Sequence, residues 1–160
     1  MNMKTKFLIL LLVGFFANLW TAQTLVKPAD IKISAIASYL KGKGYTILEE
    51  APQYIEVKTK NNTYVFLDID VQKQAIYYST NILVNTSASK DKIRDYLEKA
   101  NDVVPIVKTI YVEEKKKVMF EYAFWIKHGF TYESFEDSLS EFSLYVGDAL
   151  KLDKEQQILQ

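Results

Sequence analysis

Residues Gln53–Val84, QYIEVKTKNNTYVFLDIDVQKQAIYYSTNILV, carry the alternation that decides the fold. Ile55, Val57 and Thr59 alternate with Tyr54, Glu56 and Lys58, the period of two that marks a strand with one buried face. Asn61 and Asn62 follow, and asparagine tolerates the positive φ of a tight hairpin. The chain returns with Val65, Leu67 and Ile69 on one side and Tyr64, Phe66, Asp68 and Asp70 on the other. After a polar turn at Gln72–Gln74, Ile76, Tyr78, Ile82 and Val84 oppose Tyr77, Ser79, Asn81 and Leu83. Three successive antiparallel strands are predicted, with one strongly apolar face and one amphipathic face rich in aromatics. An antiparallel sheet can leave such a second face in water, so helices are expected on one side only.

Upstream, Pro28 opens a helical pattern running to about Lys43. Ile33, Ile36, Ala37 and Leu40 form one apolar stripe, and Gly42 and Gly44 punctuate its end. Tyr45–Leu48 reads as a short extended piece before Pro52. Downstream, Ser87 and Ser89 offer caps for a second helix from about Lys90 to Asp102, striped by Ile93, Tyr96, Leu97 and Ala100. Pro105 excludes further helix, so Val103–Val112 is expected as a strand. Glu113–Lys117 is a charged loop, and Val118–Ile126 is the next strand. There Val118, Phe120, Tyr122, Phe124 and Ile126 face away from Met119, Glu121, Ala123 and Trp125. Thr131 caps a last helix whose apolar positions are Phe135, Leu139, Phe142, Tyr145, Val146 and Leu150. Glu133, Glu136 and Asp137 sit in its early turns, where the helix dipole favours anions. The predicted order is α-β-β-β-α-β-β-α, an α+β domain with a five-stranded antiparallel sheet. Strands that run on through hairpins exclude a doubly wound parallel sheet.

Residues 1–22 read as a cleavable signal peptide. Lys4 and Lys6 form its basic end, Phe7–Phe16 (FLILLLVGFF) its apolar core, and Ala22 the residue before cleavage, although Trp20 is large for that site. The apolar run is shorter than the roughly 18–20 residues that a spanning helix requires. Residues 23–27 then form a linker, 28–152 the domain, and 153–160 a polar tail expected to fray. The chain has no cysteine, a composition compatible with an oxidising compartment. A periplasmic or secreted location is expected, with no membrane association after cleavage. The leader holds two of the 20 basic residues and none of the 20 acidic ones. What remains is therefore slightly acidic, which argues against a nucleic-acid partner. Arg94 is the sole arginine, so forked recognition of phosphate or carboxylate is nearly unavailable and lysine point charges are left for that work.

The element order, the LDID strand at Leu67–Asp70, the serine-rich start of the middle helix and the closing FWIKHGFTYESFEDSLSEF at Phe124–Phe142 together resemble the YbjN-like family. That family shares its fold with the type III secretion chaperones. The resemblance covers Pro28–Leu150 and rests on element order and strand patterning. It implies a small chaperone-like or sensory-regulator module that binds protein without catalysis, often as a dimer. It supplies no catalytic residues. Secretion chaperones are cytosolic, whereas this chain begins like an exported one, so only the fold and the style of binding are carried over.

Among residues able to do chemistry, His128 is the only histidine, and no serine stands in a G-x-S-x-G elbow. Asp68 and Asp70, two apart on one strand, point the same way. They could share a hard cation or act as acid and base, or simply be solvated charges. A hydrolase would need Asp68, Asp70 and His128 to converge. The expectation is no enzyme, no catalytic group, no metal and no cofactor. Tyr64, Phe66, Tyr77 and Trp125 are the candidate protein-binding residues, because aromatic rings on the second face offer interface area at small entropic cost. A protein partner is expected, a second copy of the chain being one form of it. The alternative is a carrier of a small hydrophobic ligand enclosed between sheet and helices.

Overall fold

The computed structural model describes residues 24–104, 106–155 and 157–160; the predicted signal peptide lies outside them. Strand β1 (Thr46–Glu50), β2 (Tyr54–Lys58), β3 (Tyr64–Asp70), β4 (Ala75–Leu83), β5 (Lys108–Val112) and β6 (Lys117–Trp125) build one sheet. Its spatial order is β1-β2-β3-β4-β6-β5, antiparallel throughout. Helix α1 (Ile33–Gly42) precedes β1, α2 (Lys90–Val103) connects β4 to β5, and α3 (Tyr132–Leu150) follows β6.

The sheet has six strands where five were expected. Tyr45–Leu48, read as a short extended piece, belongs to a full strand paired with β2 from Thr46↔Lys58 to Glu50↔Ile55. A bulge between Ile47 and Glu49 spoils the period of two, which is why the alternation did not show. Two helix ends also differ. Pro28–Asp30 is a separate 3-10 turn, after which Lys32 is extended and stands at the N-terminal boundary of α1 without a side-chain capping bond. Helix α2 continues one residue further, to Val103, and the next strand begins only at Lys108.

The register follows the predicted alternation. Ile55, Val57, Val65, Leu67, Ile76, Tyr78, Val118 and Phe120 are fully buried on one face of the sheet. All three helices contribute to the same core: Ile36 and Leu40 from α1, Ile93 and Tyr96 from α2, Phe135, Leu139, Phe142 and Val146 from α3. Tyr78, on the central strand, meets Phe135 and Phe142 edge-on at 5.9 Å and stacks on Phe124 at 6.2 Å. Its hydroxyl is satisfied by Ser138 at 2.8 Å, and burial pushes its pKa well above the ordinary tyrosine value.

Local chemistry sets the joints. Asn62 adopts φ 61° at the β2–β3 turn, as its side chain permits. Thr131 and Ser134 form a reciprocal capping box at the start of α3. Gly129 has φ +87°, and a Cβ there would lie 2.9 Å from the Val26 carbonyl oxygen. That contact is needed because Val26 and Phe130 exchange backbone hydrogen bonds of 2.7 and 2.9 Å, fastening the expected linker to the turn after β6. The tail is likewise held rather than frayed. Asp153 accepts from the backbone N–H groups of Gln157, Ile158 and Leu159, and Leu159 is buried beside Val84.

Helix α3 is also joined to the β2–β3 hairpin by polar groups. Thr59, Ser143 and Thr63 form a hydroxyl chain with contacts of 2.9 and 3.0 Å. Glu136 accepts from Lys60 at 2.8 Å and from the Tyr45 hydroxyl at 3.5 Å, with Lys43 at 3.7 Å. The Lys60 hydrogen bond holds the Glu136 carboxyl below the usual carboxylate range, against the opposing pull of partial burial. Burial, and then the charge on Glu136, push the Tyr45 phenol up to about 12.

A depressed carboxylate binds its proton less readily folded than unfolded, so its contribution to stability is complete above the unfolded pKa and disappears as pH falls through the folded one. Urea midpoints should therefore drop below about pH 4.5 in the wild type, 4.5 being the reference value for glutamate. Glu136→Gln should be less stable at neutral pH and show a shallower acid limb; an identical limb would remove Glu136 from the hairpin–helix clamp.

Candidate protein-binding face

The side of the sheet opposite the helices carries Tyr54, Glu56 and Lys58 from β2, Tyr64, Phe66, Asp68 and Asp70 from β3, and Tyr77, Ser79, Asn81 and Leu83 from β4. From β6 come Lys117, Met119, Glu121, Ala123 and Trp125. The hydrophobic side chains among these lie apart from the core cluster and do not pack against it. Of the four residues singled out, Trp125 is 67% exposed and Tyr64 54% exposed, while Phe66 and Tyr77 are half-buried among their neighbours on this face. All four share one surface.

Register decides their grouping. Tyr77 lies opposite Asp68 on one side and Ala123 on the other; Phe66 is opposite Ser79 and Trp125 opposite Ala75. Phe66, Tyr77 and Trp125 therefore follow a diagonal across β3, β4 and β6, each within reach of the next. Tyr64 stands apart, one step back along β3, with Lys58 above its ring at 5.6 Å. Sequence reasoning missed Tyr54 as a member. It stacks on Phe66 with ring centroids 4.5 Å apart, a contact that cannot be known before the β2–β3 register is.

Charges on this face are uneven. Glu49 and Glu56 are directly opposed on β1 and β2, an arrangement that disfavours the pair. Asp70 belongs to the β3–β4 turn: it accepts from the Lys73 backbone N–H at 2.8 Å and pairs with the Lys73 ammonium at 3.1 Å. The backbone hydrogen bond first, and the ammonium next, hold its carboxyl below the ordinary range. Lys73 also lies over the Tyr77 ring at 5.7 Å. Asp68 is exposed and forms no salt bridge among the described residues.

The chemistry considered for Asp68, Asp70 and His128 finds no shared setting. Both aspartates border an open cleft of about 480 Å³ with Ile31, Pro52 and Gln53, and His128 is not part of its lining. Among the described residues no three histidine, aspartate or glutamate side chains come together as a metal site, and no helix is long and apolar enough to cross a membrane. Between sheet and helices, the cavity bounded by Val107, Tyr122, Phe142 and Tyr145 measures about 10 Å³, the space of a single water molecule. An enclosed hydrophobe has no room there.

The two edges of the sheet differ. At β5, the Asn101 side chain of α2 accepts from the Thr109 N–H at 2.9 Å and donates to the Thr109 carbonyl at 3.2 Å. One amide thus imitates a neighbouring strand and occupies both edge groups of that residue. At β1 the bulge and the run Glu49-Glu50 bend and charge the edge, devices that discourage strand addition.

This architecture recurs among solved structures. The chain is similar to YbjN of E. coli, described as a candidate transcription regulator, with a TM-score of 0.68 and 17% identity over 86% of this chain and 99% of that one. It is similar to a chain of the ExsC–ExsE complex, TM-score 0.52 and 14% identity over 72% and 86%. A chain of the HopA1–SchA chaperone–effector complex gives a TM-score of 0.51 and 4% identity over 71% and 89%. No family model matches the sequence, and no curated protein does. The protein therefore has the YbjN-like, type III chaperone-like fold that its element order resembled. At these identities the likeness concerns the fold.

Asn101→Ala should leave the Thr109 N–H and carbonyl without their partner, costing about 1–2 kcal/mol in chemical denaturation. It should also speed amide exchange at Thr109. Unchanged exchange there would show that water replaces Asn101 without loss.

Proposed function

We propose that this protein is an exported, non-enzymatic binding module that holds a protein partner against the helix-free face of its sheet, in a chaperone-like or regulator-like manner. One observation carries this reading: an aromatic strip from Tyr54 through Phe66 and Tyr77 to Trp125 lies on the side that no helix covers. Trp125 is exposed and Tyr54, Phe66 and Tyr77 are half-buried outside the core, and tyrosine and tryptophan are the anchors that interfaces favour. Similarity to chains taken from a chaperone–effector complex supports the same style of work. A second copy of the chain is one partner that such a face could take. The small volume of the cavity lined by Tyr122, Phe142 and Tyr145 weighs against a ligand carried at that place between sheet and helices.

Export is supported by the basic, then apolar, then small-residue order of residues 1–22. The periplasm or the exterior is the proposed location. Mass spectrometry of protein recovered from the cell envelope and medium should find a chain beginning at Gln23; a retained Met1 would replace export by anchoring.

Phe66→Ser combined with Tyr77→Ser should leave the far-ultraviolet circular dichroism of residues 23–160 unchanged, because neither side chain contributes to the core. The same variant should lose self-association in light scattering, or partner capture, by tenfold or more, since interface anchors are each worth about 1–2 kcal/mol or more. Full retention would move the binding surface elsewhere.

A further inference from the structure

The outer face contains a more specific arrangement than an apolar strip. Asp68 lies directly between Tyr54 on β2 and Tyr77 on β4. Phe66, two residues back on the same face of β3, stacks on Tyr54. An exposed carboxylate thus has three aromatic residues as its register neighbours on this face, with the Tyr54 hydroxyl donating to Glu49 on β1. Glu56, opposite Phe66, and Glu49 beyond it add acidic charge on the same side, and Glu49 and Glu56 make no salt bridge among the described residues.

We propose that Tyr54, Phe66 and Tyr77 around Asp68 form a receptor for the basic side chain of a partner protein, a lysine or an arginine presented from an exposed segment. This deepens the reading of the face as a protein-binding surface and rests on it. Aromatic faces attract cations through their quadrupole, and the Asp68 carboxylate supplies an opposite charge. The repulsion between Glu49 and Glu56 is relieved when a cation arrives. The molecule already contains a small instance of the same chemistry: Lys73 pairs with Asp70 while its ammonium lies over the Tyr77 ring. Asp68, the adjacent carboxylate on that strand, adds its charge to the surroundings of Lys73 but forms no salt bridge among the described residues. Apolar area from Trp125 and the rings would supply affinity, and the basic group would fix orientation and partner choice.

The test uses residues 23–160 to select binders from a random-peptide display library, with the Phe66→Ser/Tyr77→Ser variant as the counter-selection target. Selected peptides are then titrated calorimetrically against wild type and Asp68→Asn, alongside versions with lysine and arginine changed to glutamine. The expected result is enrichment of lysine and arginine. Glutamine replacement or Asp68→Asn should each weaken binding about fivefold, as for an exposed cation–π contact combined with an ion pair, and raised salt should weaken it further. Peptides without basic residues that nonetheless require Phe66 and Tyr77 would overturn the cation receptor and leave the protein-binding face standing. A failure to select any peptide, or peptides indifferent to Phe66, Tyr77 and Asp68, would overturn both.

Discussion

The burial of Tyr78 is the constraint on which the rest of the structure depends. It stands on the central strand, between β3 and β6, and its ring meets rings from β6 and α3 at once. A tyrosine can be placed so deeply only if its hydroxyl finds a partner, because an unpaired polar atom in such a site costs more than the bond returns. Ser138 provides that partner from the second turn of α3. The requirement fixes both the distance and the rotation of α3 over the sheet, and the apolar spacing of Phe135, Leu139, Phe142 and Val146 follows. With α3 placed, the hairpin residues Thr59 and Lys60 meet Ser143 and Glu136, and the helical layer is locked to one side of the sheet.

Confinement of the helices to one layer makes the sheet two-sided. Every strand must present alternate residues to the two sides, so the same β3 that contributes Val65 and Leu67 to the core also displays Phe66 and Asp68 to solvent. An ordinary outer face would be filled with threonine, lysine and glutamate. Here it carries aromatics flanked by carboxylates, and the cost in solubility of that choice points to a use in binding. The similarity to structures described as a candidate regulator and a chaperone–effector complex concerns the fold alone. The face is a property of this chain's own residues.

Much of this was legible in the sequence because the signals were periodic. The faces of β2, β3, β4 and β6, the N-caps Ser89 and Thr131, and the shared surface of Tyr64, Phe66, Tyr77 and Trp125 all follow from spacing alone. What escaped notice depended on breaks in period or on register. The bulge in β1 hid a strand, and the reach of Asn101 from α2 to the Thr109 backbone of β5 is announced by no local pattern. The tail has only Ile158 and Leu159 among polar residues, too few to show as an element, yet Leu159 closes against Val84. The rings around Asp68 come from three strands. Hairpin geometry, rather than composition, decides that Tyr54 and Tyr77 are its neighbours.

The amide of Asn101 has one further implication, for how copies of this protein can meet. A sheet with two free edges can recruit identical sheets end on end, each addition recreating the edge that the next requires, and such head-to-tail contacts grow without closing. Here growth would need the β1 edge of one molecule to zip onto the β5 edge of another, and at Thr109 the groups required are already taken. A strand arriving at that edge would therefore have to displace the Asn101 amide before it could pair with the Thr109 backbone.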